Sequence, residues 1–323
     1  MGLPGAKEIP IRPWVYPGRR FLQLHHGFTL GVSDSQLHNH INSYSVMPPT
    51  ITQPTITLNS GHKMPQVGLG VWQAKDGDEV SAVRDALAAG YRHIDTAAVY
   101  KNEEGVGKAL AETDVPRDQF FITTKLWNDD IRAGKAREAL ETSLNKLGLD
   151  YVDLYLLHWP VEGGTKAYQE LEKLQDEGLI RSIGLSNYMP EHIDSLMSET
   201  DVTPAVNQIE FHPYCQQRDV LEACQKHGIV VTAWSPLMQG NFLEEPLLKE
   251  LAESYGKTAA QVLLRWDIQR GVVTIPKSVH KARIEQNFDL FDFELSEADV
   301  ARIDALDKGN DGRYGPDPRN FDF

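Results

Sequence analysis

The chain has 323 residues, of which 41% are hydrophobic and 24% are charged, and its formal net charge is −14. This length can hold one large α/β domain or two average ones, and the composition can supply a buried core. The acidic balance argues against a nucleic-acid-binding protein, because phosphate binding requires a basic face. No run of residues approaches the roughly 20 apolar positions of a membrane-spanning helix.

Residues 1–46 show neither helical nor strand periodicity, and they carry scattered Pro, Gly, His and Asn. They are slightly basic, unlike the acidic remainder, and no apolar stretch typical of a secretory signal follows the first residues. We expect residues 1–50 to form a disordered extension, which would come from an upstream start site or from cloning. The alternative interpretation of residues 1–46 is a transit peptide that directs the protein to an organelle.

From Gln66 onward, strand-like runs alternate with helical segments about eight times. The strand-like runs are GLGVW, YRHID, QFFITTKLW, YVDLYLLHWP, IRSIGLSN, PAVNQIEFH, GIVVTAWSP and VVTIPKS. They are continuously apolar rather than alternating, as strands buried on both faces are. Eight strand–helix units in roughly 250 residues predict a closed (β/α)8 TIM barrel, here a single domain over residues 51–323. A doubly wound sheet is the alternative fold.

The glycine motifs of common nucleotide-binding folds are incomplete. A dinucleotide-binding doubly wound sheet needs G-x-G-x-x-G after its first strand, but the run GLGVWQ that begins at Gly68 lacks the third glycine. The stretch that ends at Lys108 resembles a P-loop, but Asn102 replaces its first glycine and Ala109 replaces its Ser or Thr. A nucleotide must therefore bind in another way.

Metal and disulfide chemistry are not expected. The chain contains no HExxH motif, metal-spaced His pair or EF-hand loop. Its two cysteines, Cys215 and Cys224, have neither CxxC nor zinc-ligand spacing. Reduced, partly buried thiols in a cytoplasmic protein are the expected state.

Four polar side chains follow or end strand-like runs, namely Asp95, Tyr100, Lys125 and His158. Taken singly, an Asp after a strand is usually a helix cap, a Tyr is usually part of the core, and a Lys–Asp pair is usually structural. Together they indicate one site assembled from separate strand ends. A phenol can act as a general acid near neutral pH only if its pKa falls from about 10, which an ammonium held by a carboxylate would cause.

Six blocks carry a resemblance to the aldo-keto reductase superfamily over essentially all of residues 51–323. They occur in order and at similar spacing: GYRHIDTAAVYKNEEGVGKAL, DLYLLHWP, GLSNY, NQIEFHPY, AWSPL and IPKSV..AR.EQN. TTKLWND, RSIGLSN and the FDFELSEADVARIDALD tail are similar to the prokaryotic branch of 2,5-diketo-gluconate reductases. The resemblance implies an NADPH-dependent oxidoreductase that reduces small aldehydes, ketones or diketones to alcohols. It also implies a monomer, and the acidic charge and the lack of a long apolar run predict no nucleic-acid or membrane partner.

The resemblance implies a catalytic role for each of the four polar residues. Tyr100 would donate a proton to the carbonyl oxygen as hydride arrives from the reduced nicotinamide. Lys125 would stabilise the phenolate character of Tyr100, and Asp95 would hold Lys125 charged and oriented. His158 would hydrogen-bond the carbonyl oxygen and polarise it.

The resemblance also implies the residues that bind NADPH. Trp234 would lie flat against the nicotinamide ring, whose carboxamide would be bound by Ser186, Asn187 and Gln208. Ser235 and Leu237 resemble loop positions that close over the pyrophosphate, next to Met238, where relatives often carry Gly. The positions similar to 2′-phosphate and adenine contacts are Lys277, Ser278, Arg283, Gln286 and Asn287. Two cations and a hydroxyl suit a dianionic phosphate, although Gln286 replaces the commoner Glu.

The expected substrate mouth is aromatic. Its residues are Trp72, Trp127, Asn128 and Trp159. An aromatic wall favours small carbonyl compounds with some apolar or planar surface. The short VEGG loop predicts a rather open pocket. His93 and His212 also lie near strand ends, and we interpret both as structural histidines.

Two other functions are compatible with the same fold. A Schiff-base barrel enzyme would also use a Lys at a strand end, but it would need Lys125 uncharged. A non-catalytic relative that binds nucleotide would not need the complete set of four polar residues.

The extension is open to a direct test. Deletion of residues 1–46 should leave turnover and the melting temperature nearly unchanged, because the segment lacks the apolar periodicity needed to dock on the barrel. Thermal denaturation and steady-state assays of the shortened and full-length chains check this. A loss of several degrees would mean that the segment packs on the folded domain.

Overall fold

The computed structural model describes residues 53–323, and the expectation for residues 1–50 lies outside this part. The strands are β1 (Thr55–Thr57), β2 (Lys63–Pro65), β3 (Leu69–Gly70), β4 (His93–Asp95), β5 (Phe121–Leu126), β6 (Val152–Leu157), β7 (Ile180–Ser186), β8 (Val206–Glu210), β9 (Val230–Trp234) and β10 (Val273–Thr274). β1 and β2 form an antiparallel hairpin, and the other eight strands form one parallel sheet.

Helices follow the strands of the parallel sheet, as the alternating pattern predicts. They are α1 (Asp78–Ala89), α2 (Glu103–Ala111), α3 (Asn128–Arg132), α4 (Ala136–Leu147), α5 (Gly164–Asp176), α6 (Pro190–Met197), α7 (Arg218–His227), α8 (Pro246–Tyr255), α9 (Ala259–Gln269), α10 (Lys281–Phe288) and α11 (Glu297–Asp304). Several end at a glycine in the left-handed conformation, such as Gly90 after α1 and Gly148 after α4. No helix among residues 53–323 is long and apolar enough to cross a membrane.

The sheet closes into a barrel. Its strands run in chain order from β3 to β10, and parallel bridges join Val67 to Thr274 and Gly70 to Lys277 across the remaining gap. Gly70 is required there, since a Cβ atom would lie 2.9 Å from the Ile275 carbonyl oxygen. The predicted (β/α)8 fold is confirmed.

Side chains alternate between the inside and the outside of the barrel. In β6, Leu154 and Leu156 belong to the inner cluster, whereas Tyr155 and Leu157 pack in the outer layer beneath the helices. Leu58 and Met64 of the N-terminal hairpin region complete the inner cluster and therefore close one end of the barrel. The opposite end, where the parallel strands terminate, is left for polar side chains.

Candidate active site

The side chains predicted to act in catalysis and cofactor binding lie at the carboxyl ends of the strands. Asp95 ends β4, Lys125 is the penultimate residue of β5, and His158 directly follows β6. Ser186 ends β7 and Asn187 follows it, Gln208 lies in β8, Trp234 ends β9 and Ser235 follows it, and Lys277 and Ser278 come after β10. Parallel strands place these ends on one face of the barrel, where the sites of TIM-barrel enzymes lie.

The ammonium group of Lys125 is the centre of the predicted catalytic cluster. It lies 2.6 Å from Asp95 Oδ1, 2.9 Å from the Thr96 carbonyl oxygen and 3.4 Å from Tyr100 Oη, and it has no exposed surface. An ammonium has three N–H donors, and this arrangement gives each of them an acceptor. Sequence reasoning missed Thr96, because its backbone oxygen carries no signal in residue type.

Burial and charge act in opposite directions on the pKa values of this cluster. Burial by itself lowers the pKa of Lys125, but attraction from Asp95 and Tyr100 outweighs it, so the pKa is raised and the side chain stays charged at neutral pH. Burial raises the pKa of Tyr100, and the Lys125 ammonium opposes this shift without reversing it. The expectation of a lowered Tyr100 pKa is wrong in its net direction because it omitted phenolate desolvation. Tyr100 therefore holds its proton.

His158 is a neutral imidazole. Burial lowers the pKa of His158 well below its usual value, and the Lys125 charge lowers it further. Its ring meets the Tyr100 ring edge-on at a centroid distance of 5.8 Å and the Trp127 ring at 5.1 Å. Its Nδ1 atom is buried and has no hydrogen-bond partner among the described residues. The sequence could not set this protonation state, because it depends on burial.

Asn102 fixes the turn that carries Tyr100. Its Oδ1 atom accepts a hydrogen bond from Thr96 Oγ1 at 2.8 Å, and its Nδ2 atom donates to the carbonyl oxygens of Val71 at 2.8 Å and Ala74 at 3.0 Å. The amide thus ties the loop after β4 to the loop after β3. Sequence reasoning missed this residue, although an Asn just before a helix is a signal for a local polar contact.

Asn187 joins the predicted nicotinamide platform to the catalytic cluster. Its Oδ1 atom accepts from Trp234 Nε1 at 2.8 Å, and its Nδ2 atom donates to the His158 carbonyl oxygen at 3.0 Å. Asn187 holds a left-handed conformation with φ 65°, which Asn tolerates better than most residues. The neighbouring Ser186 hydroxyl donates to the Gln208 carbonyl oxygen at 2.9 Å. These three predicted carboxamide ligands and Trp234 therefore lie together.

The Gln208 side chain has a partner that the sequence did not indicate. Its Nε2 atom donates to Asp95 Oδ2 at 2.7 Å, while Asp95 Oδ1 accepts from Lys125. Both carboxylate oxygens of Asp95 are thereby held. The Gln208 amide also has a second N–H and an acceptor oxygen, so it could bind a carboxamide while it holds Asp95, and it links the predicted cofactor site to the ion pair.

The predicted phosphate-binding residues surround the start of α10. Lys277 and Arg283 are exposed, and neither forms a salt bridge within residues 53–323, whereas Ser278 and Asn287 are buried. Gln286 is exposed on the same helix. Two unpaired cations near a helix N-terminus are a suitable environment for a phosphate group.

The loop after β9, which is predicted to cover the pyrophosphate, has a strained backbone. Ser235 has φ 54°, and Met238 has φ 44° in the left-handed region that favours Gly. Met238 is nonetheless buried, so its side chain is packed. Leu237 lies between them and packs partly buried against the outer core.

The C-terminal Phe323 packs against aromatic residues that are predicted to line the substrate mouth. Phe323 stacks parallel to Trp127 at a centroid distance of 6.0 Å and meets Trp159 edge-on at 5.1 Å. Asn128, predicted to line the pocket, is buried and donates to the Phe323 carbonyl oxygen at 3.3 Å. Trp72, which follows β3, is 45% exposed. Phe323 therefore contacts three of the four residues predicted to line the substrate mouth.

His93 and His212 make structural contacts. His93 Nε2 lies 3.2 Å from Thr123 Oγ1 inside the barrel, and burial lowers the pKa of His93 to about 4. His212 Nε2 lies 3.0 Å from Glu210 Oε1. Both observations agree with their interpretation as structural residues.

The side chains at the carboxyl ends of the strands suit a dinucleotide. No group of three His, Cys, Asp or Glu side chains among residues 53–323 could hold a metal ion. The flat indole of Trp234 and the buried amides beside it would suit a nicotinamide ring and its carboxamide, and the exposed cations near the start of α10 would suit a phosphate group.

Comparisons with known proteins agree with this geometry. A model of the Aldo/keto reductase family matches residues 66–308. The chain is 50% identical over 277 residues to the methylglyoxal reductase DkgA of Escherichia coli K12. The match covers 84% of this chain and 99% of DkgA. It is 48% identical over 277 residues to a glyoxal reductase of Bacillus subtilis 168. This match covers 85% of this chain and all of the glyoxal reductase. The crystal structure of a Bombyx mori aldo-keto reductase in complex with NADP superposes with a TM-score of 0.75 at 42% identity, covering 79% of this chain and 93% of that one.

The neutral state of His158 predicts how stability depends on pH. An unfolded His takes up a proton below about pH 6.5, whereas folded His158 does not until the pH is much lower. Stability should therefore fall as the pH drops below that value, by up to about 1.4 kcal/mol per pH unit for this one proton. The variant His158→Gln should lose this part of the slope in chemical denaturation. His93 remains in both proteins as an internal control, and parallel stability curves would contradict the assignment.

Proposed function

The chain belongs to the aldo/keto reductase family, and we propose that it uses NADPH to reduce small aldehydes, ketones or diketones to alcohols. The observation that carries the proposal is the buried cluster in which Lys125 contacts both Asp95 and Tyr100, with His158 beside the phenol. A phenol, a charged ammonium and a neutral imidazole at one point are the groups that carbonyl reduction requires.

Tyr100 acts as the general acid in this proposal. Its raised pKa keeps the phenol protonated before the reaction, and the Lys125 ammonium 3.4 Å from its oxygen stabilises the phenolate that remains after proton transfer. Bound NADPH supplies the hydride that goes to the carbonyl carbon. Asp95 keeps Lys125 charged, so the positive charge is in place before the phenol loses its proton.

His158 orients and polarises the carbonyl oxygen. A neutral imidazole can donate one hydrogen bond without adding a second positive charge next to Lys125. The edge-on packing of Tyr100 and Trp127 fixes the ring plane of His158. The carbonyl oxygen would therefore lie between the Tyr100 hydroxyl and the His158 ring.

The cofactor assignment rests on two sets of residues, those proposed to hold the nicotinamide and those proposed to hold the phosphates and the adenine. Trp234 would carry the nicotinamide ring, with Ser186, Asn187 and Gln208 at the carboxamide. Ser235 and Leu237 would cover the pyrophosphate, and Lys277, Ser278 and Arg283 would bind the 2′-phosphate, with Gln286 and Asn287 near the adenine. The NADP bound in the Bombyx mori relative supports this cofactor class.

The substrate class follows from the mouth and from the relatives. Trp127, Trp159 and Phe323 form an aromatic wall next to His158, and Trp72 adds a rim. Such a wall suits small carbonyl compounds with a planar or apolar portion. The names of the two bacterial relatives, a methylglyoxal reductase and a glyoxal reductase, support dicarbonyl compounds as first substrates to assay.

The two alternative functions are less compatible with the geometry. A Schiff-base enzyme needs a neutral Lys125, whereas attraction from Asp95 and Tyr100 raises the pKa of this side chain. A non-catalytic nucleotide-binding relative would have no need of a complete Asp95–Lys125–Tyr100 cluster.

Removal of the phenol tests the proposed general acid. Wild-type protein should oxidise NADPH in the presence of methylglyoxal, and Tyr100→Phe should reduce kcat by roughly 10²–10⁴ or more, because the proton donor is lost. Tyr168→Phe is the matched control, since it removes a hydroxyl that contacts the Val202 carbonyl oxygen away from the site. Near-normal turnover in Tyr100→Phe would refute the assignment.

Removal of one cation tests the cofactor preference. Arg283→Ala should weaken NADPH binding by about tenfold to a hundredfold, as expected for loss of a charge-assisted hydrogen bond, and leave NADH binding nearly unchanged. Lys281→Ala is the matched control, an exposed cation on the same helix. Both variants should be titrated with both cofactors at one salt concentration, because the contact is screened. Equal losses for the two cofactors would place the 2′-phosphate elsewhere.

A further inference from the structure

Glu210 is a buried carboxylate at the end of β8, and it has no part in the mechanism derived above. Its side chain has no exposed surface. It lies two residues beyond Gln208 on the same strand, so both side chains point to the same side of the sheet. A buried charge is costly unless it is paired and hydrogen-bonded, so the partners of Glu210 indicate what it holds in place.

Most of these partners belong to the C-terminal segment Arg313–Gly315. The backbone N–H of Tyr314 donates to Glu210 Oε1 at 2.6 Å, and that of Gly315 donates to Oε2 at 3.1 Å. Arg313 Nη1 forms an ion pair with Oε2 at 3.6 Å, and the Arg313 side chain is only 6% exposed. His212 Nε2 supplies the remaining contact at 3.0 Å.

A second contact locks the guanidinium in this position. Arg313 Nη2 donates to Gln217 Oε1 at 2.9 Å, and Gln217 Nε2 donates back to the Glu210 carbonyl oxygen. Gln217 itself adopts a left-handed conformation with φ 43°, which is unfavourable for Gln. The segment is therefore held by side-chain and backbone contacts to one strand end.

The anchored segment lies against Trp234. A Cβ atom on Gly315 would be 2.4 Å from Trp234 Cη2 and 3.2 Å from Cζ3, so no side chain can fit between the tail and the indole. The opposite edge of the same indole is held by the hydrogen bond from Nε1 to Asn187 Oδ1. The Trp234 ring is thus fixed at both edges, by Asn187 on one side and by the Gly315 backbone on the other.

The same segment also reaches the loop after β9. The Tyr314 hydroxyl donates to Gln239 Oε1 at 3.4 Å, two residues beyond Leu237 in that loop. The tail therefore contacts both the proposed nicotinamide platform and the loop proposed to cover the pyrophosphate.

We propose that Glu210 is a positioning residue for cofactor binding, which docks Arg313–Gly315 against Trp234 and thereby sets the plane on which the nicotinamide ring rests. The proposal rests on the proposed function, in which Trp234 carries that ring. Glu210 acts through the tail and the indole and does not touch the reacting atoms. Gly315 is the residue through which the tail contacts the Trp234 ring, because only a residue without a side chain lets the backbone approach the indole so closely.

The test measures binding of NADPH and NADH by tryptophan fluorescence in Gly315→Ala and Glu210→Gln. The nicotinamide half is common to the two cofactors, so Gly315→Ala should weaken both by a similar factor, about tenfold or more. This differs from the NADPH-specific loss expected for Arg283→Ala. Glu210→Gln, which places an amide N–H opposite the backbone N–H groups of the tail, should weaken both cofactors in the same way. Pro316→Ala, an exposed neighbour in the same tail, is the matched control and should bind both cofactors normally.

Turnover supplies a second readout that a purely structural role would not change. With cofactor deuterated at the transferred position, Gly315→Ala should show a larger primary isotope effect than wild type, because a tilted platform slows hydride transfer. Unchanged binding of both cofactors in folded Gly315→Ala would overturn the proposal. An unchanged isotope effect would overturn it equally, even if the melting temperature falls. If wild-type protein reduces no carbonyl compound, the proposed function fails, whereas the binding comparison still decides the role of Glu210.

Discussion

The burial of the Lys125 ammonium is the constraint on which the rest of the site depends. A fully buried charge is tolerated only with close counter-charge and acceptors, and Asp95, Thr96 and Tyr100 provide them. The barrel sets this geometry, because the register of β4 and β5 pairs Asp95 with Thr123, two residues before Lys125. Two neighbouring strand ends therefore bring the ion pair together, and the short turn after β4 returns Tyr100 to it. The phenol meets a permanent positive charge as a consequence of the fold.

Hydrogen bonds extend from this ion pair across the barrel face. Asp95 is held by the Gln208 amide, and Gln208 shares its backbone oxygen with Ser186 and with the Asn187 N–H. The Asn187 side chain then reaches Trp234. The proposed acid and the proposed nicotinamide platform are thus parts of one polar network. Its members are buried or half-buried, so displacement of one side chain would leave its neighbours with unsatisfied buried hydrogen-bonding groups, which is destabilising.

Much of this arrangement can be predicted from residue patterns, because strand ends in a parallel barrel share one face. The continuous apolar runs predicted eight strands, and Asp95, Lys125 and His158 at the ends of three of them predicted a common site. The Tyr100 pKa could not be predicted in the same way, since its direction depends on how far desolvation exceeds the Lys125 attraction. Partners such as Asp95 for Gln208 and Glu210 for the tail N–H groups join residues far apart in the chain, and nothing in their local sequence encodes the pairing. The packing of Phe323 on Trp127 was missed for the same reason.

The pH–rate profile of Asp95→Asn tests most directly whether the counter-charge of Asp95 keeps Lys125 protonated. The amide is close in size to the carboxylate but carries no charge, so the buried ammonium would lose its main counter-charge and its pKa would fall. Turnover of the variant should then decline as the pH rises through that lowered pKa, in a range where wild-type turnover stays flat. A variant with wild-type turnover and a parallel pH profile would contradict the account.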